Sequence, residues 1–241
     1  MIKDYFNKLY TGTQSDFFQI ALDALIQQEK MFVVTANPET MMIGEQNELF
    51  NQVLCKSYTT IVPDGIGVVK AAEALGIQCN GRVTGVELSS FLIEQAGRVG
   101  KSIYLYGAKE EVVSALVQKI QQSATPATVV GYRNGYNQND DEVFEEICKL
   151  KPDVVLVALG IPRQEILIDK WYNKFDKGIF IGVGGSFDVL SGCKKRAPHF
   201  FVRFNLEWLY RIVKEPKRFG RFYHSNIKFL SEIRRLKKQM G

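Results

Sequence analysis

The stretch DVVLVALGIPRQEILIDKWYNKFDKGIFIGVGG, residues 153–185, decides the fold. Its two apolar runs, DVVLVALG (153–160) and GIFIGVGG (178–185), are rich in Val and Ile and close in glycine, as strands that run into loops do. Pro162 lies between them and suits the first turn of a helix. Outward from this unit, MFVVTAN (31–37), TTIVPDG (59–65), SIYLYG (102–107) and ATVVGY (127–132) are further strand candidates. Helical patterns separate them: SDFFQIALDALIQQ (15–28), GVELSSFLIEQAGRV (85–99), KEEVVSALVQKIQQ (109–122) and NDDEVFEEICKL (139–150). The alternation predicts an α/β fold, a Rossmann-like, largely parallel sheet flanked by helices. No internal repeat, low-complexity tract or Pro/Ser linker interrupts residues 1–193, which read as one doubly wound domain.

Beyond that domain the texture changes. Residues 194–241 hold 14 Lys/Arg against three Glu, a net +11, whereas residues 1–193 hold 17 Lys/Arg against 23 Asp/Glu, a net −6. The tail is helical in periodicity, is divided by Pro216, and intersperses its basic residues with Phe200, Phe201, Phe204, Trp208, Phe219, Phe222, Tyr223 and Phe229. This pattern predicts a C-terminal appendage packed on, or tethered to, the body, whose basic face meets an anionic partner, a nucleic acid or an acidic membrane surface, or whose aromatics pack as ordinary core with the charges solvated. A hydrophobic fraction of 46% with 24% charged residues excludes disorder, collagen and coiled coil. No apolar run reaches the roughly 18 residues of a membrane span, and MIKDYFNKLYTGTQ lacks a signal-peptide core, so a cytoplasmic protein is expected. Cys55, Cys79, Cys148 and Cys193 form no C-x-x-C pair, and the two histidines, His199 and His224, have no carboxylate cluster beside them. Neither a zinc knuckle, a disulfide framework nor histidine-based catalysis is indicated.

In an open α/β sheet, ligands lie beyond the carboxyl ends of the strands, so the polar residues that follow each strand are the candidates. The loops hold Thr35 and Asn37, Asp64 and Gly65, Arg163 and Gln164, and the run Gly184, Gly185, Ser186, Phe187 and Asp188. Gly182, Gly184 and Gly185 let backbone N–H groups approach a diphosphate. Phe187 stands where a dinucleotide fingerprint needs its last glycine, and Lys70 does the same after Gly65-Ile66-Gly67, which disfavours a nicotinamide-dependent oxidoreductase. Asp64 can act as a general base for a hydroxyl or cap the helix that begins near Gly65. Arg82, in the loop NGRVTG (80–85) with Thr84, can pair with a phosphate, and Gln164 can read a sugar or base from the helix start. Asp140 and Asp141 look like a metal-binding pair, but their place before EVFEEICKL assigns them to helix capping.

As a set these loops are more specific than any one of them. T-x-N-P-E, P-D-G-x-G, R-V-T-G, G-x-P-R-Q-E, G-V-G-G-S-F-D, and R-A-P followed by E-W-L-Y-R and E-P-x-R-x-x-R run in order over nearly the whole chain. This arrangement resembles the WecG/TagA/CpsF family of bacterial glycosyltransferases. The resemblance implies transfer of an N-acetylhexosamine, most typically N-acetylmannosamine, from a UDP-sugar donor to GlcNAc on undecaprenyl diphosphate, in the synthesis of teichoic acid, capsule or a similar polymer. It implies that Asp64 is the base, that Thr35 and Asn37 line the pocket, and that Arg82 and Gln164 hold donor or acceptor. Gly65, Thr84, Arg163, Gly184, Gly185, Ser186, Phe187 and Asp188 fall in the substrate-binding loops. Arg211, Arg218 and Arg221 match tail arginines that complete the site.

The family is metal-independent and uses no cofactor, the UDP-sugar being a substrate. The lipid-linked acceptor selects an anionic membrane over nucleic acid as the tail's partner, and so a peripheral place on the inner face of the plasma membrane. A homo-oligomer stays open. Val86-Glu87 departs from the family, which has a small polar residue and an Asp there, and leaves the role of Glu87 unassigned.

Overall fold

A computed structural model describes residues 2–136, 138–214 and 219–240. Six parallel strands form one sheet in the order β2-β1-β6-β5-β3-β4: β1 (Lys30–Ala36), β2 (Thr59–Pro63), β3 (Ser102–Gly107), β4 (Thr128–Arg133), β5 (Val154–Ala158) and β6 (Gly178–Gly182). The expected Rossmann-like architecture is present, and each strand overlaps its predicted run. Because every neighbour is parallel, all six carboxyl ends lie along one edge.

Alternation along the strands divides the core into two layers. Phe32, Val34, Tyr104, Tyr106, Val155, Val157 and Phe180 face one side, where they meet α1 (Ile2–Asn7), α3 (Pro38–Gln46), α4 (Glu48–Cys55), α5 (Ile66–Ala74), α8 (Asp140–Leu150) and α9 (Arg163–Tyr172). Val33, Ile103, Leu105, Val154, Leu156, Ile179 and Ile181 face the other. There they meet α2 (Gln14–Gln27), α6 (Gly85–Arg98), α7 (Glu110–Gln121) and α10 (Ser186–Leu190). Central strands buried on both faces need apolar side chains at every position, which is why β5 and β6 read as unbroken apolar runs.

The charged tail is not uniform. Helices α11 (His199–Arg203) and α12 (Glu207–Lys214) leave Phe200, Phe204, Trp208 and Val213 exposed. The last helix, α13 (Phe219–Met240), seats Phe229, Ile233 and Leu236 in the core layer that contains α3 and α5, with the Phe229 ring 6.4 Å from that of Phe6. Those three positions are spaced four and three apart, one stripe of a helix. The final helix therefore belongs to the body's core, although it lies in the region read from sequence as an appendage. Among the described residues no helix is long and apolar enough to cross a membrane.

Candidate active site

The pairing of β1 with β2 sets Ala36 opposite Pro63, so that Asn37 and Asp64 emerge side by side at the carboxyl edge. Asn37 caps α3: its Oδ1 accepts from Thr40 N at 3.0 Å, and its own N–H donates to Thr40 Oγ1 at 3.2 Å. The Asp64 N–H donates to Ala36 O at 2.9 Å. Of the two roles open to the Asp64 side chain, capping the following helix is not the one adopted, since α5 starts behind Gly65 with no side-chain cap. Instead Asp64 Oδ1 crosses to α6 and accepts from Gly85 N at 2.9 Å. A helix N–H stabilises negative charge on that oxygen.

Other predicted residues close on the same point. Thr35 Oγ1 donates to Gly182 O at 3.4 Å. A Cβ placed on Gly85 would lie 3.4 Å from Thr35 Oγ1 and 3.6 Å from Ser186 Oγ, and one on Gly65 would lie 3.2 Å from Asn37 Cβ. Loops separated by as many as 150 residues thus bring Thr35, Asn37, Asp64, Gly65 and Ser186 together around the start of α6. Thr84 is the cap of that helix, accepting from Glu87 N at 3.2 Å and donating to Glu87 Oε2 at 2.8 Å.

The glycine turn after β6 forms a second part of the edge. Gly184 adopts φ +47° and Gly160, in the loop after β5, φ +84°, left-handed values that favour glycine. A Cβ on Gly160, Gly184 or Gly185 would meet nothing within 4 Å, so all three open onto free space. Gln164 joins the two loops from beneath: its Oε1 accepts from Gly160 N at 3.0 Å and Gly184 N at 3.1 Å, while its Nε2 donates to Glu165 Oε1 at 2.7 Å. Gln164 is 2% exposed, so the side chain expected to read a ligand has its hydrogen bonds inside the protein. The Gly184 N–H is likewise turned inward, and Ser186 N donates to Val183 O. Gly185 is left as the exposed residue of the turn.

Phe187 is fully buried among the α6 and α7 side chains and supports the turn as core. Asp188 pairs with Lys194 at 3.4 Å. Arg163 grips Asp140 with two nitrogens, Nε at 2.9 Å and Nη2 at 2.6 Å, and the same carboxylate accepts from Tyr106 Oη. Asp141 holds Lys170 and the Trp171 indole N–H, which lower its pKa. Both acids sit in the first turn of α8, where they complement the helix dipole as their place in the sequence predicts, but the cap itself is Asn139 and not either of them. Among the described residues no three His, Cys, Asp or Glu side chains cluster as metal ligands.

The tail meets this edge through two arginines. Arg82 Nη2 lies 3.5 Å from the carbonyl of Val202 on α11. Arg196 donates from Nη2 to Glu87 Oε1 at 2.7 Å, and its Nε is 3.7 Å from Glu207 on α12. Glu87 Oε2 also accepts from Gln14 Nε2 at 2.7 Å. Burial alone would raise the pKa of Glu87, but the hydrogen bonds from Arg196, Thr84 and Gln14, with the Arg196 charge, hold it below the usual value. Glu87 therefore joins α2, α6 and the tail. Its partner stands 109 residues away, a link that spacing along the chain does not reveal. Arg218 lies outside the described residues, as do the side chains of Arg211 and Arg221, whose backbones fall on α12 and α13.

Residues 7–240 match the model of the glycosyl transferase WecG/TagA/CpsF family. An N-acetylglucosaminyldiphosphoundecaprenol N-acetyl-beta-D-mannosaminyltransferase of Bacillus spizizenii is 40% identical over 197 residues, 82% of this chain and 76% of its own length. The enzyme of the same name from Bacillus subtilis is 39% identical, over 78% and 73% of the two chains. That from Staphylococcus aureus is 36% identical, over 87% and 82%. With a family match over almost its full length, and with Thr35, Asp64, Gly85 and Ser186 gathered at the carboxyl edge of a parallel sheet, the chain belongs to the WecG/TagA/CpsF family of glycosyl transferases.

Proposed function

We propose that the protein transfers N-acetylmannosamine from a UDP-sugar to GlcNAc on undecaprenyl diphosphate, with inversion at the anomeric carbon, in cell-surface polymer synthesis. The observation that carries this reading is the placement of Asp64 at the convergence of three loops, in a chain whose relatives are named for that transfer. Asp64 takes the proton of the acceptor hydroxyl while the hydroxyl oxygen forms the new bond to the anomeric carbon. The bond from that carbon to the UDP oxygen breaks, and the electron pair leaves on the diphosphate. Gly185 in the exposed turn, Arg82, and Arg211, Arg218 and Arg221 stabilise that charge, so transfer proceeds without a metal ion or cofactor. Thr35, Asn37 and Ser186 line the sugar pocket.

The same reading makes the protein peripheral on the inner face of the plasma membrane. Phe200 is 61% exposed and Val213 69%, on helices whose other residues include Arg203, Arg211 and Lys214. Apolar side chains beside cationic ones suit an anionic headgroup layer.

The deciding experiment offers a panel of UDP-sugars with a short-chain lipid-diphosphate-GlcNAc acceptor, with and without excess EDTA. UDP-N-acetylmannosamine is expected to be turned over at the same rate in chelator. No transfer from any UDP-sugar, or activity that vanishes in EDTA and returns with metal, overturns the reading. Flotation with anionic liposomes should recover the protein; an RNA gel shift with no flotation would instead make the tail a nucleic-acid surface.

A further inference from the structure

One buried carboxyl group at the carboxyl edge has no part in the transfer described above. Glu165, in the first turn of α9, is 1% exposed. Its Oε1 accepts from Gln164 Nε2 at 2.7 Å, and its Oε2 has no hydrogen-bond partner among the described residues. Burial pushes the carboxyl up to about 7, against the lowering effect of the Gln164 hydrogen bond and of its own backbone. Strand β6 passes directly over the pair: a Cβ on Gly182 would lie 2.6 Å from Gln164 Nε2 and 2.7 Å from Glu165 Oε1. Glycine at 182 lets the strand run this close; any side chain there would force the Gln164 and Glu165 ends to shift.

The Gln164 amide has two ends that differ in chemistry. With its oxygen toward Gly160 and Gly184 it accepts from both backbone N–H groups; turned over, its NH2 would face two donors. The two backbone donors call for the oxygen at that end, and the group that receives Nε2 at the other end is Glu165. A carboxyl can do this in either protonation state, because it always retains an oxygen that can only accept.

We propose that Glu165 is a positioning residue: by receiving Gln164 Nε2 it fixes the amide oxygen on Gly160 and Gly184, and so sets the spacing of the two open glycine loops that floor the donor-diphosphate site. The diphosphate part of this assignment rests on the function proposed above; the loop-spacing part rests on the geometry alone. Glu165 touches no ligand. It acts through Gln164.

The test compares Glu165→Leu, Glu165→Gln and Gln164→Leu in the full chain, with amide hydrogen exchange at Gly160 and Gly184 and UDP affinity by calorimetry as readouts. Glu165→Leu should raise exchange at both glycines by about tenfold and weaken UDP binding by a similar factor. Glu165→Gln, which keeps an accepting oxygen, should stay within about threefold of the parent on both readouts. Removing both side chains should do no more than Gln164→Leu alone, since the two act as one unit. Parent-like exchange at the glycines in Glu165→Leu, a Glu165→Gln protein as impaired as the leucine variant, or additive losses would each overturn the assignment. Should Glu165→Leu not fold, the remaining pair decides: Glu165→Gln must match the parent and Gln164→Leu must lose protection at both glycines, and any other result overturns it. A parent that fails to bind UDP would remove the diphosphate reading, while glycine exchange would still judge Glu165.

Discussion

Two buried carboxyl groups mark the opposite edges of the sheet, and they are treated differently. Asp153, just before β5 at the amino edge, accepts from Ser102 N and Oγ, both at 2.9 Å, and from Lys177 Nζ at 2.6 Å. Burial alone would raise its pKa, but Lys177 and Ser102 together hold it below the ordinary value. Glu165, at the carboxyl edge, has one amide donor, no cation, and a raised pKa. A carboxylate with all its partners holds a fold together; one with few partners costs stability and is explained by what it positions. The amino edge of this sheet is built for stability and the carboxyl edge for chemistry, and four substitutions probe that contrast.

The largest effect belongs to Asp64→Asn, which keeps shape but cannot take a proton. Turnover should fall by about 10³-fold, with UDP affinity within a few-fold and the unfolding midpoint near the parent's. Substantial residual turnover would remove Asp64 as the base. Asp153→Ala, at the other edge, should do the reverse, lowering unfolding free energy by about 3 kcal/mol in denaturant titration because Lys177 is stranded. UDP affinity at a temperature where the variant is folded should be unchanged; a large loss of affinity would break the division between the edges.

Next in size is a pH effect of opposite sign at the two edges. The contribution of Asp153, whose pKa is lowered by folding, is present above its ordinary value of 3.8 and is lost as pH falls through the folded value. That of Glu165, raised from 4.5 to about 7, is full below 4.5 and is lost as pH rises toward 7. Glu165→Gln should therefore flatten the decline in stability between pH 5 and 7, by about 3 kcal/mol at most, and leave the acid limb intact. An unchanged neutral limb would mean that Glu165 titrates normally. The smallest effect is expected at the tail, where Glu87→Gln weakens the charged bond to Arg196 by about 1 kcal/mol. Limited proteolysis should then cut α11 and α12 faster with the body's midpoint unmoved, whereas unchanged cleavage would show that Glu87 does not hold the tail.

Much of this architecture is written locally. The strands at 102–107 and 178–182 declare themselves through β-branched and aromatic residues, and the helix after Thr84 through its cap and apolar stripe. Asp64, Thr35 and Ser186 were legible as candidates because strand ends are recognisable and the parallel topology carries every strand end to one edge. What sequence could not supply is the destination of each side chain. Gln164 and Arg163 both look like ligand contacts at a helix start, yet one is buried by the approach of Gly182 and the other is held by Asp140, 23 residues earlier. Glu165 looks like any acid in a first helical turn, and only tertiary packing makes it a buried group. The tail's packing stayed open in the sequence for a related reason: its charge dominates its composition, and the stripe of Phe229, Ile233 and Leu236 has meaning only once α3 and α5 are in place beside it.

That stripe has a consequence for how the tail is held. Ala197 is buried at the near side of the tail and Phe229 at the far side, so the basic, aromatic segment is anchored to the body at both ends. A segment fastened in this way, if displaced, would reseat by an intramolecular step, at an effective concentration set by the length of chain between its anchors rather than by how much protein the cell contains. Displacing α11 and α12 would cost only their local contacts, while the cooperative unit that holds the chain folded would stay whole.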